Sequence, residues 1–364
     1  MKCRIGLLIL AFFIASSSLI AKEFYLEVKN NSPISSDGKV ILSNTRGKIE
    51  VKTWNKNEVS VEVLITVNAR KQSDANDVFE RIKISFDAKD NTVSALTQIT
   101  EIPRWNWNYV RSVYTIDYIV YMPKTCDLNL YNKFGDALIE ELAGTATLTV
   151  KHGNIRLKNI QNHLKLDLNY GNCTVMEAAN SEIKMVHGNI RLKKVSNVNF
   201  FTSYSKVNVD LAGDIKSKSI NDTYKIGIVN EFRNIGKYDK IDIQQVKKIV
   251  VVSEFSDFKI GLLEDSGDFD MLHGGVDIVE ISQGFSDIFI VGEDTHFHFE
   301  VEEGSNYKMD ATAQFASVKY PKVSNIVCQD KQGHERKVEF VVGKKSNPKS
   351  YIKAKVKYGN LKIK

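Results

Sequence analysis

The chain has 364 residues, 43% of them hydrophobic and 26% charged, which suffices for one long core or two domains and excludes a wholly disordered chain. Its formal charge is +6 at pH 7. The basic residues are spread along the chain instead of clustered, so no nucleic-acid partner is expected.

Lys2 and Arg4 precede an apolar run from Ile5 to Ala15, followed by Ser16, Ser17, Ser18 and the small residue Ala21. This layout predicts a secretory signal peptide over residues 1–21, with a mature chain beginning at or near Lys22. Cleavage there would take away two cations and no anion, lowering the formal charge from +6 to +4. No later stretch approaches the roughly 18 apolar residues of a membrane-spanning helix, so no transmembrane segment is expected after cleavage. Cys3 leaves with the signal. Cys126 and Cys173 share strand parity with core positions and read as small core residues, while a bridge between two of Cys126, Cys173 and Cys328 stays open.

Residues 22–122 read as an N-terminal β-rich capping region. Lys48 to Val67 alternates around Trp54, and Ser73 and Asp74 are placed to cap one short amphipathic helix containing Val78, Phe79 and Ile82. Strands are expected around Lys83 to Phe86, Thr92 to Thr100 and Tyr114 to Tyr121, with Pro123 closing the stretch. A cap is expected because an uncovered end would offer open strand hydrogen bonds to any neighbour.

From residue 123 to 364 the sequence repeats. Phe134-Gly135-Asp136, His152-Gly153-Asn154, Tyr170-Gly171-Asn172 and His187-Gly188-Asn189 share one pattern, and Tyr204-Ser205-Lys206 continues it without the glycine. The intervals are 18, 18, 17 and 17 residues. Before each corner the chain alternates, as in Leu164, Leu166, Leu168 and Tyr170 against Lys165, Asp167 and Asn169; after it a second alternation begins, as in Ile155 and Leu157. Both flanks therefore feed one core, and glycine is expected to supply the positive φ of a tight corner.

Two arrangements satisfy this pattern. In a parallel β-solenoid, or β-helix, each unit of about 17–18 residues is one rung, and Asn154, Asn172 and Asn189 stack so that their amides form a ladder. In an antiparallel meander the corners are hairpin turns. The likeness of matching positions favours the solenoid, which is the fold class expected here. Beyond Tyr204 the pattern loosens into Tyr238-Asp239, Phe255-Ser256, His273-Gly274, Phe285-Ser286, Phe315-Ala316 and Tyr358-Gly359-Asn360, with uneven spacing.

The run Val51-x-x-Trp54-x-x-x-x-Val59-x-Val61-x-Val63, then Tyr118-x-Val120-x-x-Pro123 leading into Leu128-x-Leu130-x-Asn132-x-Phe134-Gly135-Asp136 and the serial Gly-Asn turns, resembles the bacterial "putative adhesin" β-solenoid family of exported domains. The resemblance spans most of the mature chain and rests on turn and strand chemistry. It implies a secreted or envelope-exposed module and brings no catalytic residues. The irregular units after about Tyr204 depart from it.

Three groups of side chains carry candidate chemistry. Asp294, His296, His298 and Glu300 alternate on one strand face opposite Phe297 and Phe299; a His-x-His pair on a strand can turn two imidazoles toward one metal, and the alternative is a solvated face. Trp105, Trp107 and Tyr109 cluster between two expected strands, as a stacking platform for a sugar or as a plug for the solenoid end. His152 and His187 lie two repeats apart, roughly 9.6 Å, too far to share a metal, and are expected to hydrogen-bond their own turns. No Walker loop, Cys-x-x-Cys pair, nucleotide fingerprint or Ser-His-Asp order occurs.

The sequence therefore points to a non-catalytic, exported, adhesin-like interaction or scaffold protein without a cofactor, periplasmic, on the outer surface or extracellular. Its partner would be an envelope glycan or surface protein, met by a long polar β surface. The alternatives are a carbohydrate-binding or polysaccharide-degrading β-helix protein and a periplasmic envelope sensor.

Overall fold

The structure is a computed structural model and describes residues 22–100, 113–322 and 324–364; the expected signal peptide lies outside them. The described chain is nearly all β, with one helix and 21 strands joined in a single sheet.

Successive repeats lie side by side, parallel and in step. Leu148 stands beside Leu166, 18 residues on. Ile190 stands beside Val207, and Tyr224 beside Ile241, each 17 residues on. Hairpins at the corners would have given antiparallel neighbours, so the meander is excluded for these repeats. Two extended segments, Ile155–Ser203 and Lys240–Ile281, each run through two corners without leaving the sheet. Apolar residues at every second position fill the interior, with Leu, Ile and Val in the earlier repeats and Phe200, Tyr224, Phe232, Phe269, Phe297 and Phe299 in the later ones.

The corners are built differently from the sequence expectation. The left-handed residue is the aromatic one, with φ of 58° at Phe134, 55° at His152, 59° at Tyr170, 54° at His187 and 53° at Tyr204. The glycine that follows serves close approach instead. A Cβ on Gly153 would stand 2.0 Å from the Gly135 carbonyl oxygen, and one on Gly171 would stand 1.9 Å from that of Gly153. Backbone packed against backbone leaves no room for a side chain.

This geometric signature relocates several repeats. Asn221-Asp222-Thr223 is a corner, with φ of 56°, so the 17-residue spacing runs unbroken from His187 to Phe255. Phe285 is not a corner: it is 1% exposed and follows a turn at Gly284, while the corner of that unit is Asp294, with φ of 49°. Arg46-Gly47-Lys48, within the region expected to be purely capping, is a corner as well. Its flanks β1 (Lys39–Thr45) and β2 (Ile49–Trp54) pair in parallel with Asp127–Lys133 and Ala137–Leu142.

At the amino-terminal end of the stack the pairing turns antiparallel. Val113–Pro123 lies parallel to β2 but antiparallel to Glu58–Ala69, which pairs antiparallel with Lys22–Pro33. The single helix, Gln72–Arg81, buries Ala75 and Val78; its N-cap is Lys71, without a side-chain cap bond, and Ile82 already begins the next strand. Near the carboxyl end, Ser350–Lys357 inserts between Asp287–Val301 and Tyr307–Gln314. The repeat containing Tyr358 thus sits between two earlier repeats, where sequence order placed it last. Cys126 and Cys173 are buried and Cys328 is exposed, all three as free thiols.

Candidate interaction surface

Because each corner residue has the same backbone and stands one strand spacing from the next, the side chains at that position stack in a column on the surface. Phe134, His152, Tyr170, His187 and Tyr204 follow one another with ring centroids 5.1, 5.0, 5.0 and 5.0 Å apart and planes within 21° of parallel. The rings remain well exposed, at 53% for Tyr170 and 57% for Tyr204. Faces cover faces, so the column presents ring edges and phenolic hydroxyls to solvent. His152 and His187 are held between neighbouring rings, and among the described residues no side-chain hydrogen bond to their own turns accompanies them.

The column is interrupted at Asn221 and resumes with Tyr238, Phe255 and His273, whose centroids are 5.1 and 4.4 Å apart. Asp294 then faces His273 at 3.7 Å. In the inserted repeat the column resumes at Tyr358 and continues to Phe315 and His334, at 5.2 and 4.4 Å. Lysines flank it: Lys133 lies over the Phe134 ring at 4.8 Å, Lys237 over Tyr238 at 5.3 Å and Lys357 over Tyr358 at 4.9 Å.

Next to the rings runs a second row of like side chains. Asn154 donates to Asp136 at 3.1 Å, Asn172 to Asn154 at 2.9 Å, and Asn189 to Asn172 at 2.7 Å. Each amide spends its donor on the repeat before it, which aligns the corners. Inside the central corners the glycine column gives way to Ser205, Asp222, Asp239 and Ser256, all buried. Asp222 accepts from the Ser205 N–H at 2.7 Å and from the Thr202 hydroxyl at 2.6 Å; Asp239 accepts from the Asp222 N–H at 2.9 Å and from the Ser219 hydroxyl at 2.6 Å. Burial raises both carboxyl pKa values, that of Asp222 to about 6. A side chain at Gly236 would collide with Asp239, its Cβ 2.2 Å from the Asp239 Oδ2. In sequence Asp239 falls at an expected corner and Asp222 does not, and nothing there marks either as buried.

Of the four residues considered for metal, His298 and Glu300 meet each other, while Asp294 and His296 turn to other residues. His296, His298 and Glu300 do share an outward face, opposite buried Phe297 and Phe299. His298 contacts Asp277 at 3.0 Å and Glu300 at 3.4 Å; Glu300 pairs with Lys364 at 2.7 Å, and that hydrogen bond lowers its carboxyl pKa. His296 meets the Asn360 amide at 3.1 Å, while Asp294 occupies a corner. Among the described residues no three His, Cys, Asp or Glu side chains gather as a metal site. Trp105, Trp107 and Tyr109 lie outside the described residues. No helix among the described residues is long and apolar enough to cross a membrane.

No protein-family model matches the chain, and no curated protein matches it. Solved structures similar to it include a "putative cell adhesion protein" from Clostridium sporogenes, 11% identical over 93% of this chain and 99% of that one, with a TM-score of 0.18. A "putative adhesin" from Bacteroides fragilis is 8% identical over 93% and 97%, with a TM-score of 0.30. A "putative lipid binding protein" from Parabacteroides distasonis is 10% identical over 93% and 96%, with a TM-score of 0.25. At such scores these likenesses carry no argument about this chain.

Proposed function

We propose that this protein is an exported, non-catalytic, adhesin-like interaction module whose repeats coil as a β-solenoid. On this reading it contacts an envelope glycan or a surface protein over several repeats at once. The observation that supports it is the exposed ring column, where phenyl, imidazole and phenol rings recur every 5.0–5.1 Å in the run from Phe134 to Tyr204, with Lys133 over the first of them. A repeating partner can match such a row, and weak contacts then add along it. Rings held face to face also lose little conformational freedom on binding.

The test is retention of the purified protein on immobilised envelope glycans and surface proteins. Saturable binding is expected, weakened about fivefold or more when Tyr170→Ala and Tyr204→Ala are combined. Background retention throughout, or binding indifferent to the rings, would count against the proposal. Turnover of an acidic polysaccharide would replace it with an enzymatic reading.

A further inference from the structure

Beside the ring column, on the outer face of the strand segments that lead into the central corners, lies a groove of about 340 Å³. Register builds it. Phe201, Lys218, Ile235 and Val252 stand in consecutive repeats directly beside one another. Their alternation is broken there: positions that carry polar side chains elsewhere expose Phe201 at 39%, Ile235 at 59% and Val252 at 48%. An exposed apolar strip of this kind, interrupted only by Lys218, marks a contact site.

Both signs border it: Glu254 and Asp270 line the adjoining recess, which shares Phe201, Lys218, Ile235 and Val252. Lys216, Lys218 and Arg233 line the groove, and no carboxylate does. Arg233 is held by Glu231, whereas Lys216 and Lys218 make no ion pair among the described residues. Lys218 stands between Phe201 and Ile235, where its aliphatic stem can lie along the apolar strip with the ammonium at the rim. Two repeat steps from Lys218 to Val252 span roughly 10 Å at a strand spacing of about 4.8 Å, room for the part of an extended acyl tail next to its head.

We infer that this groove binds a single-chain anionic amphiphile, a fatty acyl chain with a carboxylate head. The tail lies over Ile235 and Val252, and the head meets Lys216 and Lys218. The site is separate from the ring column and does not depend on its role.

The experiment titrates the fluorescent fatty acid cis-parinaric acid onto the purified protein. Saturable enhancement is expected, displaced by laurate but not by a neutral alkyl glucoside of equal chain length. Lys216→Glu combined with Lys218→Glu is expected to weaken binding at least tenfold, and Ile235→Asp to abolish it, both with unchanged thermal unfolding because the positions face solvent. Y238A, in the ring column, is expected to leave the affinity unaltered. Absence of saturable uptake overturns the inference. So does equal displacement by the neutral glucoside, or affinity unchanged by the charge-reversed pair, which remains decisive if Ile235→Asp does not fold. Ile235-dependent dimerisation or binding to anionic vesicles without uptake of the free acid also overturns it, and assigns the groove to a second copy or to a bilayer.

Discussion

Each corner divides two demands between adjacent residues: one adopts the left-handed backbone, the next lets a carbonyl approach. Tyr170 meets the first demand at φ of 59°, a conformation that costs a residue with a Cβ roughly 1–2 kcal/mol. Stacking on two rings offsets that by roughly 0.5–1.5 kcal/mol per pair. Gly171 meets the second demand, and its backbone is not left-handed. Gly171→Ala is therefore expected to destabilise by about 3 kcal/mol or more in a denaturant titration, because its Cβ would stand 1.9 Å from a backbone oxygen that cannot move alone. Gly284→Ala, at φ of 75° with open space around it, is expected to cost only about 1 kcal/mol. Asp222 makes a different prediction. Its carboxyl pKa is raised to about 6 in the fold, against 3.8 for the free group, so its favourable contribution is complete below about 4 and lost as pH rises through about 6. Asp239 is shifted in the same direction. Stability from urea midpoints should thus fall, by on the order of 1–2 kcal/mol, between pH 4.5 and pH 7.5. Asp222→Asn should flatten that slope, and a slope identical in the variant would refute the assignment.

At the scale of the element, the ring column behaves as one object because strand register fixes the spacing of its members. Replacing Tyr170 removes stacking partners from both His152 and His187. Y170A and Y170G lose the same ring, but glycine adopts the left-handed corner freely, so the glycine variant is expected to be more stable by about 1 kcal/mol in thermal or denaturant unfolding. Equal stability would mean that the corner is not strained. Much of this element was legible in sequence. The Gly-Asn corners, the alternation on both flanks and the like-on-like stacking all follow from spacing, because a repeated residue type at a fixed interval has few other causes. What escaped notice escaped for chemical reasons. Asn221 and Arg46 hold the corner backbone without an aromatic ring, so a search for rings passes over them. Phe285 has the ring without the backbone and is a core residue. The exchange of glycine for Ser205, Asp222, Asp239 and Ser256 was readable as lost periodicity, whereas it is a second way of closing the same corner, with side-chain oxygens accepting the N–H of the preceding repeat.

For the whole molecule, the order of repeats in space departs from their order in the chain at both ends, and sequence periodicity has no means of reporting that. The repeat of Arg46 neighbours that of Phe134 across an intervening segment containing the helix, and the repeat of Tyr358 lies between those of Asp294 and Phe315. Antiparallel pairs then flank the parallel stack: Glu58–Ala69 with Val113–Pro123 at one end, Tyr307–Gln314 with Glu335–Val342 at the other. The inserted repeat carries the connection at the carboxyl end. Strand Ser350–Lys357 forms ladders with Asp287–Glu293 on one side and with Tyr307–Gln314 on the other, so nothing else bridges those two along this lane. Removing residues 350–364 should therefore detach the Tyr307–Val342 portion while the repeats from Leu128 to Phe255 keep their neighbours. Amide hydrogen exchange on the truncated protein is expected to show protection lost by at least tenfold over 287–342 and retained within the central repeats. Uniform loss along the chain would show instead that the stack folds as one cooperative unit, and undiminished protection at 307–314 would show that the inserted strand is dispensable.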